Sequence, residues 1–146
     1  MRFVLIPILG LTLTSPTLHA ENPQANPGGV MNETNPFFAE STLPYQLPPF
    51  DDINDAHYLP AIERGMREQI EEIQHIANAD SPPTLENTLV ALERSGRLLD
   101  RVATTFFTLS RAHTNDTMDA VRSEVAPKLA AHSDQILLNS ALFERV

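Results

Sequence analysis

Three features of this 146-residue sequence predict an all-α fold. From Asp55 onward, apolar residues recur every three or four positions, the period of a helix that buries one face. Capping residues and prolines interrupt that period after Asn78 and again around His113 to Asn115, which divides it into separate helices. Before Asp55 the period is missing. Residues 21–52 carry Pro23, Pro27, Pro36, Pro44, Pro48 and Pro49 with Gly28 and Gly29, a density that no regular helix or central strand tolerates. The expected architecture is a set of antiparallel helical hairpins preceded by an extended proline-rich strap.

The first stretch stands outside that fold. Arg2 precedes the apolar run Phe3 to Leu13, and small Ala20 follows Leu18 and His19. This is the layout of a secretory signal over residues 1–20, cut after Ala20. A spanning helix needs roughly 20 apolar residues, and this run is shorter and holds Pro7 and Gly10. Export to the periplasm or beyond is the expected location, with no membrane attachment after cleavage. Residues 21–34 offer almost nothing to bury and read as a disordered linker. Phe37, Phe38, Leu43, Tyr45, Leu47 and Phe50 then suit a strap lying across a helical surface; the plainer alternative is a linker with incidental aromatics.

The first helix aligns Tyr58, Ile62, Met66, Ile70, Ile73 and Ala77 on one face, with Glu63 to Arg67 and Arg67 to Glu71 as expected ion pairs opposite. Pro60 belongs to a loose first turn or marks the true start. The second helix opens on "PPTLENTLVALERSG", residues 82–96, where Thr84 is the expected N-cap and Glu86 suits the positive end of the dipole. Leu85, Leu89, Leu92, Leu99, Ala103 and Phe106 continue one stripe to about Ala112. Gly96 falls on that stripe as a helix-interior glycine, costing about 1 kcal/mol against alanine. Close approach of another helix accounts for it, or a hinge. Thr114 or Asn115 caps a third helix with Met118, Val121, Val125, Leu129, His132 and Ile136 inward, bent at Pro127. Ser140 is the expected cap of a fourth. Its Leu142, Phe143 and Val146 would be exposed, which reads as a truncated chain.

A content of 42% hydrophobic and 20% charged residues permits one packed domain, 35–146. Net charge is −9, and signal removal takes Arg2 and leaves −10. With basic residues scattered among acids, nucleic acid is excluded as a partner. There is no cysteine, hence no disulfide, thiolate metal site or cysteine nucleophile. His19, His57, His75, His113 and His132 include no pair four residues apart, so the zinc-peptidase His-Glu-x-x-His is missing. His132 alone lies on an apolar stripe, where a hydrogen-bonded core histidine is the better reading. Asp51, Asp52 and Asp55 lack the spacing of a calcium loop. Ser95 and Ser110 have no neighbouring base, and no phosphate loop or dinucleotide fingerprint occurs. Asn32-Glu33-Thr34 and Asn115-Asp116-Thr117 fit the glycosylation sequon. No catalytic, cofactor-binding or metal-ligating residue is assigned.

The order of five phrases carries more. "NPFFAESTLPYQLPPFDDI" (35–53), "HYLPAIERGM" (57–66), "PTLENTLVALERSGRLLDRV" (83–102), "FTLSRAHTND" (107–116) and "APKLAAHSDQILLNSALFERV" (126–146) together resemble the N-terminal region of the thimet-oligopeptidase-like zinc metallopeptidases. The likeness is strongest to their bacterial peptidyl-dipeptidase branch, with the oligopeptidase A branch close by. The resemblance implies a helical ellipsoid with a deep channel between two lobes. It implies zinc on a His-Glu-x-x-His helix plus a later glutamate, the motif glutamate acting as general base. It also implies a grip on the substrate's terminal carboxylate, and so release of C-terminal dipeptides from short oligopeptides. None of those motifs has a match here, so zinc and its ligands would lie in a missing C-terminal catalytic region. The expected role is a wall of an exported peptidase, inactive by itself and loose or aggregation-prone if made alone. A complete, non-enzymatic helical interaction protein and an endopeptidase of the oligopeptidase A kind are the alternatives.

Overall fold

The structure, a computed structural model, describes residues 35–146. The expected signal 1–20, the linker 21–34 and the sequon at Asn32 lie outside them. Helix α1 runs Tyr58–Ala77, α2 Ala91–Arg94, α3 Arg97–Ala112, α4 Asp116–Leu137 and α5 Ser140–Phe143. Among the described residues there is no strand, as the helical period predicts.

Helices α1, α3 and α4 form an up-down-up bundle. Gly65 meets Leu99 while Tyr58 meets Phe106, so α3 runs antiparallel to α1. Glu63 meets Lys128 and Gln69 meets His132, so α4 runs parallel to α1. Their shared core holds Tyr58, Ala61, Ile62, Leu99, Val102, Phe106, Met118, Val121 and Val125. A smaller core at the far end packs Leu142 of α5 on Ile73, Ile76 and Ala77 of α1. The buried face of α1 is thus wider than the stripe read from sequence, since Ala61, Gly65 and Ile76 join it.

Gly65 allows the tightest contact. A Cβ there would stand 2.8 Å from the backbone of Leu99, so the α1 and α3 backbones touch. That close approach was expected at Gly96, and Gly96 does something else. It has φ of 72°, the left-handed region, and separates α2 from α3. The second helix is therefore two, and Gly96 is a break rather than an interior residue. Its N–H donates to Glu72 Oε2 at 2.7 Å, so a side chain of α1 satisfies the backbone amide at the break.

The start at Thr84 matches expectation. Thr84 Oγ1 accepts from Asn87 N at 3.1 Å, and Asn87 Oδ1 accepts from Thr84 N at 2.8 Å, a reciprocal box. The first turns, Leu85–Val90, are wound as a π-helix. The wider i→i+5 turn shifts the inward face, so Thr88 is buried while Leu85 and Leu89 are exposed, against the expected stripe. Asn115 caps α4, and the helix continues through Pro127. Asn139, not Ser140, caps α5: its side chain accepts from Leu142 N at 3.0 Å. Leu142 is buried, while Phe143 and Val146 are exposed as expected.

The strap packs on the main core at its start, through Phe37 and Phe38, and again at Ile53, and the residues between stand away from it. Asn35 is buried, donating to His57 O at 2.8 Å and accepting from Phe37 N. Phe37 begins an aromatic ladder through Tyr58 and Phe106 to Phe107, with centroids 5.5, 5.1 and 5.2 Å apart. Arg64 lies 4.3 Å over the Phe38 ring. Leu43, Tyr45, Leu47 and Phe50, expected against the helices, are exposed instead. The strap also folds into short turns at Pro36–Phe38, Pro44–Gln46 and Phe50–Asp52; the first is a 3-10 turn whose φ proline presets, whereas the second holds Tyr45 and Gln46 in the left-handed region at φ of 60° and 56°.

Candidate functional site

The parallel packing of α1 and α4 opens a groove of about 590 Å³. Met66 and Ile70 of α1 and Ala131 of α4 form its apolar surface; Arg67, Glu71, Gln74, Lys128 and Gln135 give it polar and charged edges. His132 lies in its wall. Its Nε2 is 2.7 Å from Gln69 Oε1, so Nε2 carries the proton and donates. Burial holds the imidazole below its ordinary pKa and favours the neutral ring. His132 is the hydrogen-bonded core histidine that its apolar surroundings suggested.

Lys128 crosses the groove edge to Glu63 Oε1 at 2.5 Å and reaches Glu124 Oε1 at 2.8 Å. The hydrogen bonds to Glu124 and then to Glu63 raise its pKa, so it is fixed as a cation. Glu63 was expected to pair with Arg67; the pair formed on that face is Arg64 to Glu68 at 2.6 Å. Glu63 pairs instead with Lys128 of α4, a partner that helical spacing along α1 does not reveal. Tyr58 has its phenol pKa raised by burial and then by Asp55, which leaves it protonated.

The remaining polar residues serve the scaffold. His57 Nδ1 accepts from Asn54 N at 3.1 Å in a capping box, while His75 and His113 are exposed. Asp51 and Asp52 are exposed, and Asp55 Oδ2 accepts from Asn115 Nδ2 at 2.8 Å. That bond and the cap to Met118 N occupy the sequon asparagine at both ends. Ser95 Oγ donates to Leu92 O and Ser110 Oγ to Phe107 O, so neither hydroxyl faces a base. Among the described residues no three His, Asp or Glu side chains gather to hold a metal, and no helix is long and apolar enough to cross a membrane. The groove can bind through apolar contact and fixed charge, but it holds no nucleophile paired with a base.

No family model matches the chain. It is similar to the dipeptidyl carboxypeptidase of Salmonella typhimurium, with 50% identity over 113 residues, 77% of this chain and 17% of that protein. It is also similar to the dipeptidyl carboxypeptidase of Escherichia coli K12, with 44% identity over 116 residues, 80% of this chain and 17% of that protein. The chain is thus a relative of bacterial peptidases and spans about a sixth of their length, the likeness anticipated from the five ordered phrases.

Proposed function

We propose that this chain, a relative of the dipeptidyl carboxypeptidases, is a structural wall of an exported zinc peptidase that releases C-terminal dipeptides from oligopeptides. The observation that carries the reading is the 50% identity across 77% of the chain. Zinc is implied by the family resemblance, and the described residues do not fit it: His57, His75, His113 and His132 are dispersed, and His132 is already bonded to Gln69. In this reading the metal and its general base belong to the larger part of the parent, and no catalytic step is assigned to this chain. Its own work is to hold position. The Gly65 contact, the bond from Gly96 N–H to Glu72 and the Lys128 bridge tie α1, α3 and α4 to one another. A fixed frame is what a peptide channel needs from its wall.

The test begins with the source DNA downstream of codon 146, followed by expression of the whole reading frame. The expected product, given an N-blocked oligopeptide, releases its C-terminal dipeptide in a reaction that chelator abolishes. Cleavage only at internal bonds would move the parent to the oligopeptidase A kind. A frame that stops after Val146 would replace the reading with a non-enzymatic helical interaction protein.

A further inference from the structure

The groove between α1 and α4 holds two charges that the rest of the described chain leaves unused. Arg67 and Glu71 stand one turn apart on α1, both exposed and both at the groove. Neither enters an ion pair among the described residues, although their spacing permits one. Arginine ahead of glutamate is the poorer order for a pair on a helix, since it sets both charges against the dipole. Lys128, the other cation at the groove, is already held by Glu63 and Glu124. Arg67 is thus the groove's unpaired cation among the described residues, and Glu71 its unpaired anion.

The surface beside these charges is apolar, with Met66 and Ile70 from α1 and Ala131 from α4. Gln74 and Gln135 add side-chain amides, which donate and accept as a peptide bond requires. A ligand complementary to this pattern has a carboxylate at one end, an ammonium at the other, and apolar side chains with an amide between. Length narrows it further. Four residues of helix separate Arg67 from Glu71 by about 6 Å along the axis. An extended dipeptide spans about 7 Å, a single amino acid about half of that and a tripeptide about 10 Å. The dipeptide is the one of the three that meets both charges along a straight path. The groove volume of about 590 Å³ admits it.

We propose that this groove binds a free dipeptide as a zwitterion, its carboxylate on Arg67, its ammonium on Glu71 and its apolar side chains on Met66 and Ile70. The site stands on the charges of the groove and does not depend on the parent being a peptidase. In a parent that releases dipeptides, the ligand would be the reaction's own product, held at a place separate from the chemistry.

Saturation-transfer NMR on the 146-residue chain with alanyl-leucine tests this. The method reads affinities of roughly millimolar strength, which is what two exposed ion pairs and a small apolar contact would give. Transfer to the leucine methyl groups is expected. Blocking either end, as N-acetyl-alanyl-leucine or as alanyl-leucine amide, should weaken binding at least fivefold, and free leucine or alanyl-alanyl-leucine should bind at least threefold more weakly. Arg67→Gln should bind the amide as well as the free dipeptide, and Glu71→Gln should bind the N-acetyl form as well as the free dipeptide. No transfer from alanyl-leucine, undiminished transfer from both blocked forms, or an unchanged preference in both variants would overturn the proposal. Equal binding of the tripeptide would overturn it too, since the spacing of the two charges would then select nothing. None of these measurements involves cleavage, so the peptidase reading stands or falls apart from them.

Discussion

Gly65 and Gly96 face each other's helices for different reasons, and substitution separates the two. At Gly65 an added methyl meets the Leu99 backbone at 2.8 Å, which no rotamer change relieves. Gly65→Ala should cost about 1–3 kcal/mol through overpacking. At Gly96 the collision is with the Gln69 amide at 2.4 Å, and the φ of 72° adds about 1–2 kcal/mol for any L-residue. Asparagine tolerates that φ better than alanine, so Gly96→Asn should recover part of the loss and Gly65→Asn none. Urea midpoints of the four variants decide it. Equal recovery at both sites would mean that backbone conformation is not what separates them. His132 adds a pH dependence. Its folded pKa is lowered by burial, so the unfolded chain, near 6.5, binds more protons in the window between the two values. Its contribution is present above pH 6.5 and lost as pH falls through the folded value. Melting from pH 8 to pH 5 should show a steeper decline for the wild type than for His132→Gln; parallel curves would remove His132 as the cause.

At the scale of the element, the Thr84 box bears most directly on stability. Thr84→Ala removes the acceptor for Asn87 N and should cost about 1 kcal/mol, with Thr84→Ser nearly neutral. A cost for serine equal to that for alanine would show that the methyl group matters more than the cap. This start was legible because a cap is local: Pro83, Thr84 and Asn87 lie within five positions. The α1 and α4 stripes were legible for a related reason, since each keeps a steady helical period, although their residues divide between the bundle core and the far-end core. The split at Gly96 was hidden because Leu92 and Leu99 keep the same stripe whether the chain between them is helical or broken. What decides for a break is Glu72, 24 residues earlier, accepting the Gly96 N–H. The exposure of Leu85 and Leu89 was equally hidden, since nothing in their spacing announces a π turn. Of the candidate site, His132 was readable as a packed histidine. The bridge from Lys128 to Glu63 was not, because it spans 65 positions.

The whole molecule has two centres of unequal strength. The main core joins α1, α3, α4 and the anchored start of the strap, whereas the far-end core buries only Ile73, Ile76, Ala77 and Leu142. Burial of a large apolar side chain contributes about 1.5–3 kcal/mol, so the far end rests on a few such groups and the bundle on many. Local opening should follow that difference. In the 146-residue chain, amide exchange is expected first in α5 and the Leu85–Val90 turns and last in the middle of α1 and α3. Phe106→Ala, which empties the centre of the aromatic ladder, should cost about 3–5 kcal/mol and carry the whole bundle with it. Leu142→Ala should speed exchange at the far end alone. The outward groups act against this order. Ten large apolar residues are exposed among those described, from Leu43 in the strap to Val146 at the end. Made alone, the chain should therefore keep its protected bundle but self-associate, with a melting curve that shifts with concentration. Sharp melting at one temperature over a hundredfold range of concentration, with uniform protection from α1 to α5, would mean that the exposed groups need no covering surface and that the two cores open as one.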